Sequence, residues 1–249
     1  MVQVTSRERV DAFWSSTLGV DAAQFHAPGI HVFINPPQRA TWRGIYVLAF
    51  DKCACVFSPP DLIETVSAAI TSASGAGQRD TSEIDAIVEP KTWHAMADLT
   101  IHSALGPVLH HYRDEPEGLR ELAAGRRINP SDAEAIAELH KAVPDQEWTA
   151  AGFTAGPTVL FGIFEGDSMM AGANLTYGPD AATDIGIVVH PEAHGKGYGV
   201  QIAAAAAHQA IKMRGIARFR VLATSSSTLA IASKLGFESY GRNLTVSLP

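Results

Sequence analysis

Asp184-Ile-Gly-Ile-Val-Val-His190-Pro-Glu-Ala-His194-Gly-Lys-Gly-Tyr198-Gly-Val200, followed by an alanine-rich run to Arg214, decides how this chain reads. Asp184 to Val189 is apolar and β-branched, which predicts a buried strand. Pro191 ends that strand, because it has no N–H to offer a ladder. Gly195, Gly197 and Gly199 follow at alternate positions, where the lack of a Cβ lets backbone amides approach a ligand closely. Tyr198 to Arg214 is built from good helix formers, and Gly215 stands where a terminating glycine belongs. A strand, a glycine turn and a helix start together present unpaired N–H groups at the positive end of a helix dipole. Such a place suits phosphate.

A glycine turn alone is ambiguous. The dinucleotide fingerprint needs G-x-G-x-x-G and an acidic residue about 20 positions on. The spacing here differs, and Gly215-Ile-Ala-Arg-Phe-Arg220 contains no acid. No G-x-x-x-x-G-K-[ST] is present either, so nicotinamide and nucleoside-triphosphate readings are weak.

The segment Val189-His-Pro-Glu-Ala-His194-Gly-Lys-Gly-Tyr-Gly199 resembles the acetyl-CoA-binding motif of the GNAT acetyltransferase family, V-x-P-x-x-[QR]-G-x-G-x-[GA]. His194 departs from it, standing where the family has Arg or Gln. The family's later motif, N-x-x-[SA]-x-x-[VL]-[AY]-x-x-x-G-F, is approximated by Ser225-Ser-Ser-Thr228-Leu-Ala-Ile-Ala232-Ser-Lys-Leu-Gly236-Phe237. There Ser replaces Asn, and Ala232 stands where many members carry Tyr. The resemblance runs from about Leu160 to the C-terminus and fades upstream.

The resemblance implies an α/β (α+β) fold, with a mixed sheet flanked by helices in a C-terminal lobe of residues 126–249. Residues 1–125 are expected to form a smaller α+β lobe, a candidate degenerate copy of the same fold. It also implies that acetyl-CoA is a co-substrate, held at its pyrophosphate by His194, Gly195, Lys196, Gly197, Tyr198, Gly199 and Val200. Ile187, Val188 and Val189 would bond the pantetheine arm, although ordinary sheet pairing is the better expectation for at least one of them. Ser225 and Thr228 complete the expected cofactor set. Asp184 is the candidate general base, with a strand-initiating surface Asp as the equal alternative. Ser225 and Tyr240 are the available substitutes for the thiolate-protonating Tyr missing at Ala232.

The expected reaction is acyl transfer to a primary amine of a small molecule or peptide, by direct attack. A CoA-sensing or interaction module without turnover is the alternative. A homodimer contact, an acceptor-site cover and a substrate-selecting role are the tasks open to the N-terminal lobe. Trp148, Phe153 and Tyr177 are candidate acceptor walls.

Composition narrows the rest. The 249 residues are 46% hydrophobic and 18% charged, enough apolar content for a real core. A net charge of −7 argues against nucleic acid, whose phosphates need a basic face. Cys53 and Cys55 lie two apart on a predicted strand, where a disulfide would be strained, so buried free thiols are expected. Low cysteine use suits a reducing cytoplasm. No signal peptide or membrane-spanning run is legible. The adjacent His110 and His111 would face opposite ways on a strand, and no Cys/His cluster suggests a metal.

The predicted order begins with a helix at 6–18 and strands at 30–34, 44–50 and 53–57. A helix at 62–70 and a loop at 71–78 come next. After mixed elements to Ala124, a helix capped by Ser131 or Asp132 is expected, then a hairpin about Glu165-Gly166-Asp167. The motif strand and helix, a strand at 219–224, a helix at 226–235 and a closing strand pair complete the chain.

Overall fold

The computed structural model describes residues 6–73, 81–154, 159–176 and 183–249. The chain divides into two units. One comprises Met1–His110, Val221–Ser225 and Ser239–Pro249; the other comprises His111–Arg220 and Ser226–Glu238. This division falls at 110/111 rather than the expected 125/126, and the end of the chain returns to the first unit.

In the first unit, α1 (Ser6–Leu18) buries Val10, Trp14 and Leu18, which share one face of the helix, while Phe13 is half-buried. Strands β1 (Gly29–Ile34), β2 (Gly44–Ala49) and β3 (Cys53–Ser58) follow. The long β10 (Glu238–Ser247) pairs antiparallel with β2, giving the order β1-β3-β2-β10, with β1 parallel to β3. Every residue of β2 and β3 is buried, which is why both read as unbroken apolar runs without alternation. One side of the core packs Ile45, Val47, Val56 and Leu244 against α2 (Ile63–Ala73), α3 (Thr81–Ile87) and α4 (Pro90–His94). The buried Trp93 satisfies its indole N–H on the Ile87 carbonyl at 2.8 Å.

Cys53 and Cys55 are buried and free, with their sulfurs 4.0 Å apart. Two expectations change here. The predicted loop at 71–78 begins as the last turn of α2, and its remainder lies outside the described residues. The closing strand pair is one ten-residue strand, β10.

In the second unit, the end of β4 (Ser103–Arg113) leads to α5 (Leu119–Leu122), β5 (Arg126–Arg127), α6 (Ala133–Ala142) and α7 (Asp145–Ala150). Then come β6 (Val159–Glu165), β7 (Ser168–Thr176), β8 (Thr183–Val189), α8 (Tyr198–Arg214), β9 (Ala217–Leu222) and α9 (Ser226–Lys234). The strand order is β9-β8-β7-β6-β5, antiparallel except for β8 and β9.

The entry to α6 starts further upstream than expected. The Asn129 side chain accepts from Ser131 N at 3.1 Å, and Asp132 returns the bond by accepting from Asn129 N at 2.9 Å. Arg126 grips Asp132 through both terminal nitrogens, at 2.7 and 2.6 Å, and this hydrogen bonding lowers the Asp132 carboxyl to about 2. Among the described residues no helix is long and apolar enough to cross a membrane.

Two layers of helix fix β8. Helix α8 buries Ile202, Ala203, Ala204, Ala206, Ala207 and Ala210 against the sheet, a face of small side chains that allows close approach. On the opposite face, Leu139, Val143, Trp148 and Phe153 pack with Met169 and Val188. The turn after α7 rests on β7 and β8, where Asn174 donates from Nδ2 to the Ala151 carbonyl at 2.8 Å. A Cβ built on Gly186 would lie 1.7 Å from that same Ala151 oxygen. Gly186→Ala is therefore expected to push the turn off the sheet and destabilise the protein by roughly 1–3 kcal/mol, the usual range for overpacking. Urea unfolding measures it; an unchanged midpoint would show that the 151–153 turn is free to move.

Candidate active site

The chemistry-bearing residues gather where β8 leaves β9. The two strands are in parallel register only at Thr183↔Ala217 and Asp184↔Arg218. On its other side β8 stays paired to β7 along its length, from Thr176↔Asp184 to Ala171↔Val189. Strand amides point alternately to the two sides. Thr183 N reaches Ile216 O on the β9 side at 3.4 Å, whereas His190 N reaches Met170 O on the β7 side at 2.8 Å. The peptide groups of Ile185, Ile187 and Val189 therefore face the side that β9 has left, and those of Gly186 and Val188 face β7.

This separates the three residues expected to bond a pantetheine arm. Ile187 and Val189 are half-buried and present their amides to the open edge. Val188 is 3% exposed, its backbone turned to β7 and its side chain packed with Trp148 and Met169.

Beyond the open edge the chain makes a short 3-10 turn, Pro191–Ala193, and then the glycine turn. Gly195 and Gly197 have φ of 77° and 85°, the left-handed region that disfavours a side chain. Gly197 is the residue before the first turn of α8, with no side-chain cap, so the first amides of the helix are not met by a capping side chain. Gly199 has a different reason to be glycine: its Cβ would lie 2.9 Å from Ile231 and 3.5 Å from Val189. Val200 N bonds back to Gly197 O at 3.1 Å. Residues 194–197 are exposed.

The side chains around this turn are engaged with one another. His194 Nε2 lies 3.2 Å from Val189 O, so the ring closes the turn onto the end of the open edge. Tyr198 donates its hydroxyl to Glu165 at 2.5 Å, which raises the Tyr198 pKa, and Lys196 Nζ lies 3.8 Å from the same carboxylate. Glu165, at the end of β6, was not singled out in the sequence; it stood there only as a hairpin-turn residue. Thr228 lies in α9, and Ser225 donates its amide to Leu222 O at 2.8 Å just before that helix. Ala232, in α9, is fully buried.

Asp184 lies at the closed end of the open edge. Its Oδ1 accepts from Arg218 Nε, its Oδ2 accepts from Arg218 Nη2 at 2.9 Å, and Arg220 Nε forms an ion pair with the same Oδ2 at 3.0 Å. Burial works against the charge of Arg218, but Asp184, together with Tyr112, outweighs it and raises its pKa. Arg218 Nη1 also lies 3.4 Å from the Tyr112 hydroxyl. Both oxygens of the expected base are thus held by guanidinium groups. The signal in the sequence was Arg218-Phe-Arg220, two charges at alternate positions in an otherwise apolar strand. Tyr240, one candidate proton donor, gives its hydroxyl to Asp11 at 2.5 Å in the first unit. Tyr177 lies outside the described residues.

The described geometry can receive an extended polar chain along β8 and an anion at the start of α8. A family model described as "Acetyltransferase (GNAT) family" matches residues 121–237. The sequence matches none of the curated proteins it was compared with. Among solved structures, an acetyltransferase of the GNAT family from Colwellia psychrerythraea has a TM-score of 0.50 at 12% identity, covering 78% of this chain and 76% of that one. The ribosomal-protein-S18-alanine N-acetyltransferase from Escherichia coli has a TM-score of 0.37 at 15% identity, covering 51% of this chain and 92% of that one. The first likeness bears on fold, and the family match bears on kind. The motif strand, the open edge and the glycine turn all fall inside residues 121–237, the part of the chain that the GNAT acetyltransferase family model matches.

Proposed function

We propose that the protein transfers an acyl group, most simply acetyl, from its CoA thioester to a primary amine by direct attack. The observation that supports this best is the early end of the β8–β9 ladder at Asp184↔Arg218. It leaves the Ile185, Ile187 and Val189 peptide groups facing an open side, and they lead directly to the φ-positive glycines at the head of α8. A pantetheine arm carries amides that can pair with that edge as a strand would. The pyrophosphate then meets the amides of residues 195–199 and the helix dipole. Lys196 supplies a cation within reach of the turn.

For the transfer itself, the enzyme's main contribution is to hold two reactants together. Proximity alone supplies a large part of the barrier reduction. The acceptor nitrogen must arrive neutral, attack the thioester carbonyl and lose a proton as the thiolate leaves. Asp184 serves this reading as the clip that sets where β8 and β9 part, in place of the base expected from sequence, because both its oxygens are occupied. The same occupied carboxylate and the missing hydroxyl at Ala232 favour the second reading, a CoA-responsive module without turnover. Release of free CoA across a panel of amines separates the two.

Isothermal calorimetry should show saturable acetyl-CoA binding to the wild-type protein. Gly197→Ala carries the strain of a left-handed residue without charge; Gly197→Glu adds a carboxylate beside the pyrophosphate. The expected order of affinity is wild type, then Ala, with Glu lost altogether. Equal affinity for the Ala and Glu variants would take the pyrophosphate away from this turn.

His194→Ala should weaken acetyl-CoA binding by removing the ring that holds Val189 O, and it should leave kcat at saturating acetyl-CoA nearly unchanged. A variant with the wild-type Kd would remove His194 from the site.

Asp184→Asn tests the clip. Removing one partner of a buried ion pair costs about 3–5 kcal/mol, so a large fall in the denaturation midpoint is expected. A stable Asp184→Asn protein with kcat reduced 10²–10⁴-fold, the usual loss for a general base, would restore Asp184 as the base.

A further inference from the structure

Three charged groups meet at the closed end of the β8 edge, and they do not balance. Asp184 carries one negative charge, and Arg218 and Arg220 carry two positive ones. Arg218 is 7% exposed and takes both carboxylate oxygens, so the pair of Asp184 and Arg218 is closed. The Arg220 side chain is 54% exposed and meets Asp184 through Nε alone. Among the described residues neither of its terminal nitrogens has a hydrogen-bond partner. One guanidinium is thus ion-paired through Nε while, among the described residues, its two terminal nitrogens stay without a hydrogen-bond partner, and it shares the single charge of Asp184 with Arg218, in a chain of net charge −7.

The face on which this fork stands is determined by alternation along the strands. Asp184, Gly186 and Val188 share one face of β8. Gly186 meets the Ala151 carbonyl and Val188 packs with Trp148, so this is the face covered by α6 and α7. Arg218 and Arg220 reach Asp184 from the same face of β9. Helix α8 and its glycine turn lie on the other face, where Gly199 approaches Val189. Arg220 is therefore on the opposite side of the sheet from the residues proposed to hold the pyrophosphate. It is one strand position pair, roughly 6.6 Å, beyond Arg218, level with the first part of the open edge. Trp148 and Phe153, with ring centroids 4.4 Å apart and planes tilted by 36°, belong to the same covering layer.

We propose that Arg220 binds an oxyanion on the acyl acceptor, so that the acceptor is an amine bearing a carboxylate or a phosphate. This rests on the acyl-transfer reading above and names the acceptor class for that site. Asp184 orients the guanidinium through Nε, and the two terminal nitrogens form the planar fork that matches a carboxylate or phosphate in a bidentate manner. Lys in its place would supply charge without the fork. Arg220 is a binding residue for the acceptor and takes no part in bond making.

The test compares matched acceptors at saturating acetyl-CoA: an amino acid against its amide, and an amino alcohol against its phosphate ester, read by release of free CoA. The wild-type protein should favour the anionic member of at least one pair, and which pair responds distinguishes carboxylate from phosphate. Arg220→Gln should abolish that preference by lowering kcat/KM for the anionic acceptor roughly tenfold to hundredfold, the scale of a charge-assisted hydrogen bond. The neutral acceptor and the acetyl-CoA Kd should be unaffected. Arg220→Lys should recover only part of the loss. Where no acceptor is turned over, the same pairs are compared by calorimetric binding to the CoA complex. No preference in either format, an equal loss on neutral and anionic acceptors, or a weakened acetyl-CoA Kd would overturn the assignment. If acetyl-CoA fails to bind the wild-type protein at all, the acyl-transfer reading itself fails, a result distinct from these.

Discussion

The carboxylate of Asp184, both of whose oxygens Arg218 takes, is the constraint from which the arrangement of the second unit follows. Parallel strands that begin in register ordinarily stay hydrogen-bonded, because an unpaired edge in a protein interior is costly. Here, among the described residues, the ladder ends at Asp184↔Arg218. A buried ion pair at that last position ties the two strands together up to the point where the ladder ends. Breaking such a pair would leave a charged guanidinium in a nearly dry place, so the point of divergence is resistant to sliding.

The rest of β8 is held from both sides. On one face, Gly186 lets the Ala151 carbonyl come down onto the strand, and Asn174 ties the same carbonyl to β7. On the other, Gly199 and the alanines of α8 bring the helix close. Glycine thus has two different tasks within a few residues. At 195 and 197 it supplies a left-handed backbone, and at 186 and 199 it makes room for a neighbour.

Much of this was readable before any coordinates. The motif strand, the glycine turn, helix α8 with Gly215 at its end, and the hairpin about Glu165-Gly166-Asp167 each carry local signals, and each lies where those signals put it. What escaped was long-range. The partners of Asp184 are 34 and 36 residues away in sequence, and nothing local to Asp184 announces the two guanidinium groups that meet it. The pairing of Tyr240 with Asp11 spans almost the whole chain and takes that hydroxyl out of consideration. Likewise, β10 reads as two short strands by composition, while its pairing with β2 holds it as one. Periodicity reports which face of an element is apolar; it is silent on which charged groups tertiary contact will bring together.

The alanine face of α8 bears on the entropy of ligand capture. Ala203, Ala204, Ala206, Ala207 and Ala210 have no side-chain rotamers to lose, so most of the buried face of the helix is seated without side-chain ordering. The donors at the head of α8 are therefore carried on a mount that is already rigid. An anion arriving there has little protein to order, and a larger share of the contact energy remains as affinity.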